Sequence, residues 1–181
     1  ILILDESREV LPPGEVGEIF MRRRDGTIPT FHYVGDAVLK STDDGFASIG
    51  DLGWLDADGY LYIADRRVDM IVSGGANVYP AEVEAALSEH AGLADAVVIG
   101  VPDEEWGRRV HAIIEPHCLS IPPTVQELNA HVRERIASWK APKTYEFVSQ
   151  LPRNEAGKIR RASLAAERES GWHDRMLRVH G

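Results

Sequence analysis

The sequence predicts an α+β chain in two parts: a β-rich stretch over residues 1–65, then a small α+β domain over residues 66–181. The second part is expected to hold a β-hairpin and a three-stranded sheet flanked by helices. Three observations carry this. Short apolar runs broken by Gly, Pro and Asp clusters fill the first third. Further on, Val83, Ala86 and Leu87, and then Leu128, Val132 and Ile136, fall at helical spacing. Between those stripes lie two largely apolar runs, residues 96–101 and 110–114, which read as buried strands.

Ile1-Leu2-Ile3-Leu4 is a short apolar run, and Leu11-Pro12-Pro13-Gly14 is a turn cluster. Residues 15–21 alternate through Val16, Glu18, Ile19 and Phe20 as a strand does. A turn is expected at Thr42-Asp43-Asp44-Gly45-Phe46. Asp58-Gly59, between two strand-like runs at residues 54–55 and 60–63, is the strongest hairpin signal in the chain. Asp56 and Asp58 do not make an EF-hand calcium loop, which needs its glycine later and a glutamate at the twelfth position.

From residue 64 the pattern changes. Met70-Ile71-Val72 and Val78-Tyr79 flank Ser73-Gly74-Gly75-Ala76-Asn77, a second hairpin with a glycine-rich tip. Pro80 suits a first helical turn, with Glu82 and Glu84 near its positive end, and the helix should stop near His90. Thr124 and Glu127 have capping-box spacing and open the next helix. Residues 145–148 alternate as a last strand. A loop at 151–157 leads to a polar helix from about residue 160 to 169. Residues 171–181 form a basic, aromatic-tipped tail assigned to no element.

Composition bounds the function. Hydrophobic residues at 44% and charged residues at 27% fit a folded chain rather than a disordered one. A net charge of -9 argues against nucleic acid, which needs a dense basic face. A few aimed cations can still build a local anion site. The single cysteine, Cys118, allows no internal disulfide and fits a reducing compartment, so a cytoplasmic location is expected. No run reaches the ~18 apolar residues of a membrane span. The seven histidines are scattered without HExxH or a carboxylate cluster, so no metal site is expected. Phosphate-loop, dinucleotide and serine-hydrolase signatures do not occur. The chain starts at Ile1 inside a strand-like run, which reads as a cut end.

Several residues could carry chemistry, each with a plainer alternative. Lys158, in Pro152-Arg153-Asn154-Glu155-Ala156-Gly157-Lys158, is a point cation on a loop, suited to oxygens where negative charge develops; a solvated surface lysine reads the same way. Asp51, between glycines, could accept from two ribose hydroxyls or cap its own turn. Arg66 could fork onto ribose or phosphate oxygens, or pair with Asp65 or Asp69. Gly74 and Gly75 could line a narrow passage or simply close a hairpin.

In order, these segments resemble the adenylate-forming enzymes: acyl- and aryl-CoA synthetases, peptide-synthetase adenylation domains and beetle luciferases. Four stretches carry the likeness: Gly14-Glu15-Val16-Gly17-Glu18-Ile19; Ile49-Gly50-Asp51-Leu52-Gly53 with Asp58-Gly59-Tyr60-Leu61; Asp65-Arg66 through Ser73-Gly74-Gly75-Ala76-Asn77-Val78-Tyr79-Pro80-Ala81-Glu82-Val83-Glu84; and residues 151–159. The third is worded like the acid–CoA ligases rather than the peptide-synthetase domains.

The resemblance implies that residues 1–65 end a large adenylate-binding domain, the rest of which lies upstream, and that residues 66–181 form its mobile lid. It implies activation of a carboxylic acid with ATP and Mg2+ to an acyl-adenylate, then transfer to CoA, with the acid itself left open. Loading of a carrier protein, or a non-catalytic stand-alone lid, are the alternatives. Asp51 and Arg66 would hold the ribose and Lys158 would be catalytic. Ser73, Gly74, Gly75, Trp139, Lys140 and Lys143 would face CoA, and Val68 would sit at the hinge. Two departures stand out: Val68 replaces the usual Asp or Lys and is expected to favour one packed state, and Ala141 replaces an arginine of some relatives.

Overall fold

In the computed structural model, residues 1–24 and 39–169 and the backbone of residues 177–178 are described. The chain divides into two compact units, Ile1–Val68 and Asp69–Gly181.

The apolar runs of the first unit become β1 (Leu2–Leu4), β2 (Gly17–Phe20), β5 (Asp51–Leu55) and β6 (Leu61–Arg66), an antiparallel sheet in the order β1-β2-β5-β6. A separate two-stranded hairpin, β3 (Lys40–Ser41) and β4 (Ala47–Ser48), closes over the turn at residues 42–46. The alternation read along β2 is not an alternation of burial. All four of its residues are buried, Glu18 included, because a carboxylate can be buried once it is fully partnered.

Between β5 and β6, the Asp56 carboxylate accepts from the amides of Asp58 (3.0 Å) and Tyr60 (2.8 Å). The acids of this segment therefore close a hairpin, as their spacing predicts. Gly53 runs so close to the Tyr62 carbonyl that a Cβ could not fit, and the ladder shifts register between Leu52 and Gly53.

The second unit opens with the hairpin β7 (Ile71–Ser73) and β8 (Ala76–Val78), which feeds α1 (Pro80–Ser88). Two long strands follow, β9 (Leu93–Asp103) and β10 (Gly107–Pro116), paired antiparallel. β11 (Thr144–Phe147) lies parallel to β10. A parallel neighbour needs a crossover, which α2 (Val125–Arg133) supplies. The predicted capping box closes α2: Thr124 Oγ1 accepts from the Glu127 amide (3.2 Å) and Glu127 Oε2 accepts from the Thr124 amide (2.8 Å).

α3 (Arg161–Glu169) completes the helices of the described residues. The sheet has a fourth strand where three are expected, because β12 (Leu177–Arg178), from the unassigned tail, pairs with β11. Two residues held by backbone bonds leave no side-chain periodicity to read.

The sheet carries apolar cover on both faces. Val98, Val110, Ala112, Ile114 and Tyr145 pack with Val83 and Leu87 of α1 and with Leu128 and Val132 of α2. Val97, Ile99, Val101 and Ile113 face the opposite way, onto Leu151 and Leu164 of α3. A strand buried on both faces needs an apolar residue at nearly every position, hence the unbroken run at 96–101. A buried polar group bridges α3 to the sheet: Arg168 Nε donates to Glu146 Oε2 (2.8 Å), which lies 3.6 Å from Nε2 of the buried His111. His111 Nδ1 is 2.8 Å from Thr144 Oγ1.

Candidate functional site

Asp51 and Arg66 are brought together at the first unit's sheet. They are register partners across β5 and β6, and Arg66 Nε lies 3.7 Å from Asp51 Oδ1. Asp69, in the second unit, pairs with Arg161. The corner before Asp51 is held by Glu18, which sequence reasoning left without a role. Its carboxylate accepts from Lys40 Nζ (2.9 Å), Ser48 Oγ (2.8 Å) and Arg67 Nη1 (3.0 Å). Ser48 Oγ in turn accepts from the Gly50 amide (3.0 Å), and the Gly50 carbonyl accepts from the Arg67 amide (2.8 Å). Burial pushes the Glu18 carboxyl up, but the bonds from Lys40 and Ser48 and the charges of Lys40 and Arg67 outweigh it, and its pKa is lowered.

In the second unit the Ser73-Gly74-Gly75 tip meets Trp106. The Gly74 amide donates to the Trp106 carbonyl (3.0 Å), and a Cβ on Gly74 would sit 2.6 Å from Trp106 Cε3. Gly74 and Gly75 both have positive φ, 57° and 81°. Lys143 Nζ lies 4.7 Å from the centre of the Trp106 ring, a cation–π contact, so Trp106 links the glycine tip to Lys143. Trp106 is absent from the sequence-derived set. The signal was available: a large aromatic inside the turn Asp103-Glu104-Glu105-Trp106-Gly107 is out of place unless it packs on something.

Trp139 and Lys140 lie on a 3-10 turn, Ser138–Lys140. Lys140 Nζ stands 5.3 Å from the Trp139 ring centre but is already engaged, 2.6 Å from both oxygens of Glu82. The two ammonium groups expected to face CoA are thus differently occupied. Lys140 is neutralised by Glu82, while Lys143 rests on an aromatic face.

Lys158 is presented by a loop whose backbone is fixed. Asn154 Oδ1 accepts from the amides of Ala156 (3.1 Å) and Lys158 (2.8 Å), and Arg153 Nη1 donates to the Gly157 carbonyl (2.7 Å). Arg153 is itself paired with Asp95. The Lys158 side chain is exposed, and among the described residues its ammonium makes no hydrogen bond or ion pair. Val68 closes the first unit in the turn after β6 and is 86% exposed, so the packed valine expected from the sequence is not found. Among the described residues no group of three or more His, Cys, Asp or Glu could hold a metal ion. No helix among them is long and apolar enough to cross a membrane.

Residues 82–158 match the family model of the AMP-binding enzyme C-terminal domain. A 2-succinylbenzoate–CoA ligase of Bacillus licheniformis is 44% identical over 153 residues, 84% of this chain and 31% of that protein. A fatty acid–[acyl-carrier-protein] ligase of Streptomyces coeruleorubidus is 38% identical over 181 residues, 98% of this chain and 33% of that protein. Among solved structures, the o-succinylbenzoate CoA synthetase of Bacillus subtilis in complex with its acyl-adenylate intermediate superposes with a TM-score of 0.72 at 34% identity, covering 91% of this chain and 33% of that one. The chain spans about a third of the length of the relatives it matches. By its matched domain and by these relatives, the chain belongs to the adenylate-forming superfamily of acid–CoA ligases, as their C-terminal part.

Proposed function

We propose that this chain supplies the catalytic lysine and part of the nucleotide and CoA contacts of an ATP-dependent acid–CoA ligase. The observation that carries the reading is Lys158: an ammonium without a partner among the described residues, on a loop whose backbone is held from both sides. In the first step a carboxylate oxygen attacks the α-phosphorus of ATP, forming the acyl-adenylate as the bond to pyrophosphate breaks. Lys158 would lie against the carboxylate and phosphate oxygens, where added charge favours the transition state over the bound substrates. Asp51 would accept from the ribose hydroxyls, with Arg66 donating beside it. In the second step the CoA thiol attacks the acyl carbon, the thioester forms, and AMP leaves carrying the bond electrons. The glycine tip, with no side chains to obstruct it, would pass the pantetheine arm, with Trp139, Lys140 and Lys143 near the CoA nucleotide.

Between the steps the unit beginning at Asp69 would turn about Val68. An exposed valine forms no packed state to be broken. Magnesium supplies charge to the ATP phosphates and, with the phosphate loop and acyl pocket, is assigned to protein outside this chain. A cytoplasmic location and lack of ligase activity in the isolated chain belong to the same reading.

A second reading has a specific support. A relative aligned over 98% of the chain is a fatty acid–[acyl-carrier-protein] ligase, so the acyl group could pass to a carrier thiol instead of CoA.

The test is pyrophosphate exchange into ATP by the complete protein over a panel of acids, with Lys158→Ala alongside. Exchange with one class of acid, lost in the variant by about 100-fold or more, is expected. Release of AMP dependent on CoA, rather than on a carrier protein, then separates the two readings. Well-folded protein that exchanges with no acid would overturn both.

A further inference from the structure

Arg161 is the first residue of α3, three positions after Lys158. Its guanidinium is forked between two elements. Nη2 lies 2.7 Å from Glu84 Oε2, Nε lies 3.3 Å from Glu84 Oε1, and Nη1 lies 3.3 Å from Asp69 Oδ2. All three side chains are less than a quarter exposed. Glu84 is not free to follow a moving arginine, because its Oε1 also accepts from the Val98 amide of β9 (2.8 Å). The fork therefore ties the start of α3 to the sheet and, through Asp69, to the first residue of the second unit.

The amino end of the same loop is fixed elsewhere. The Leu151 amide donates to Glu115 Oε2 (2.7 Å), Leu151 itself is buried, and Arg153 pairs with Asp95. Arg161 is the matching anchor at the carboxyl end. Only residues 159 and 160 separate it from Lys158, so a shift of the arginine is passed almost directly to the lysine.

We infer that Arg161 is a positioning residue for Lys158, setting the reach of the ammonium from the segment that begins at Asp69. The inference rests on the ligase reading above. Arg161 touches no reacting atom; it acts through the loop. Its planar fork suits two carboxylates at once, whereas a lysine in its place would reach one of them as a point charge. Removing the cation altogether would leave Asp69 and Glu84 as two mostly buried carboxylates without their shared partner, which push the elements apart.

The test uses the complete protein with wild type, Arg161→Ala, Arg161→Lys and Asp69→Asn. Three quantities are measured: pyrophosphate exchange, thioester formation from supplied acyl-adenylate, and the thermal midpoint. Arg161→Ala is expected to slow exchange by about 10- to 100-fold, since a misplaced catalytic group costs rate more than binding. The KM for ATP and the thioester step should stay within about twofold, because neither uses the lysine. Arg161→Lys should recover the midpoint but only part of the exchange, and Asp69→Asn should give a smaller loss confined to the same half-reaction. Equal loss of both half-reactions, or exchange unchanged in all three variants, would overturn the inference and leave the ligase reading standing. Wild type that exchanges with no acid would remove the reading and the inference together.

Discussion

Asp51 and Arg66 face each other across β5 and β6, with Arg66 Nε 3.7 Å from Asp51 Oδ1 and the two side chains 26% and 66% exposed. A pair this long and this wet contributes only about 0–1 kcal/mol to the fold. Both groups are therefore able to turn to a ligand with little loss.

Asp51→Ala should accordingly change the unfolding free energy by less than about 1 kcal/mol. The same variant should weaken ATP binding by about 10-fold or more, the usual loss for a charge-assisted hydrogen bond. Calorimetric titration of ATP into the complete protein checks this, and unchanged affinity would remove Asp51 from the nucleotide site.

The two glycines of the β7–β8 turn are predicted to differ. Gly74→Ala places a Cβ 2.6 Å from Trp106 Cε3 at a φ of 57°, so left-handed strain and overpacking add to about 2–4 kcal/mol. Gly75→Ala has the strain alone, about 1–2 kcal/mol, since nothing lies within 4 Å of its added Cβ. Urea unfolding of the two variants should rank them so, and a Trp106→Ala background should narrow the gap. Equal losses in both backgrounds would mean that the indole does not define the turn.

Acid should weaken the second unit before its carboxylates titrate. Burial lowers the pKa of His111 below 6.5, and the nearby Glu146 carboxylate opposes this without cancelling it. Burial, with His131 beside it, moves His90 in the same direction. The folded protein thus takes up protons on these imidazoles at lower pH than the unfolded chain, which does so near 6.5. Stability is complete above that value and is lost as pH falls from about 6.5 toward the folded pKa, by up to about 1.4 kcal/mol per pH unit for each proton. Unfolding free energies between pH 7.5 and 5 should show this slope, and His111→Gln should flatten part of it. A flat wild-type profile would show that the fold leaves the affinity of these imidazoles for protons unchanged.

Much of the fold was legible because its signals are local. The Thr124–Glu127 capping box, the Asp58-Gly59 hairpin and the helical stripe of Val83, Ala86 and Leu87 all act within a few residues. The contacts of the candidate site are long-range, and sequence spacing is silent on them. Glu18 finds Lys40, Ser48 and Arg67 far along the chain, and Arg161 reaches Glu84 and Asp69 across the second unit. Lys143 was legible as a cation but not as the partner of Trp106, and Lys140 not as the partner of Glu82. Val68 was read as the hinge residue, and as a valine was expected to favour one packed state, but in the turn after β6 it is exposed.

The loop that carries Lys158 divides its disorder unevenly. With Asn154 and Arg153 bonded to its amides and carbonyl, the backbone has already given up its freedom when the chain folds. What is left to order on meeting an anion is the four-carbon stem of one lysine, an entropic cost of about 2 kcal/mol or less. Ordering a slack loop of the same length would add about 1–2 kcal/mol for every residue fixed. The difference is settled at folding, so it recurs at no turnover.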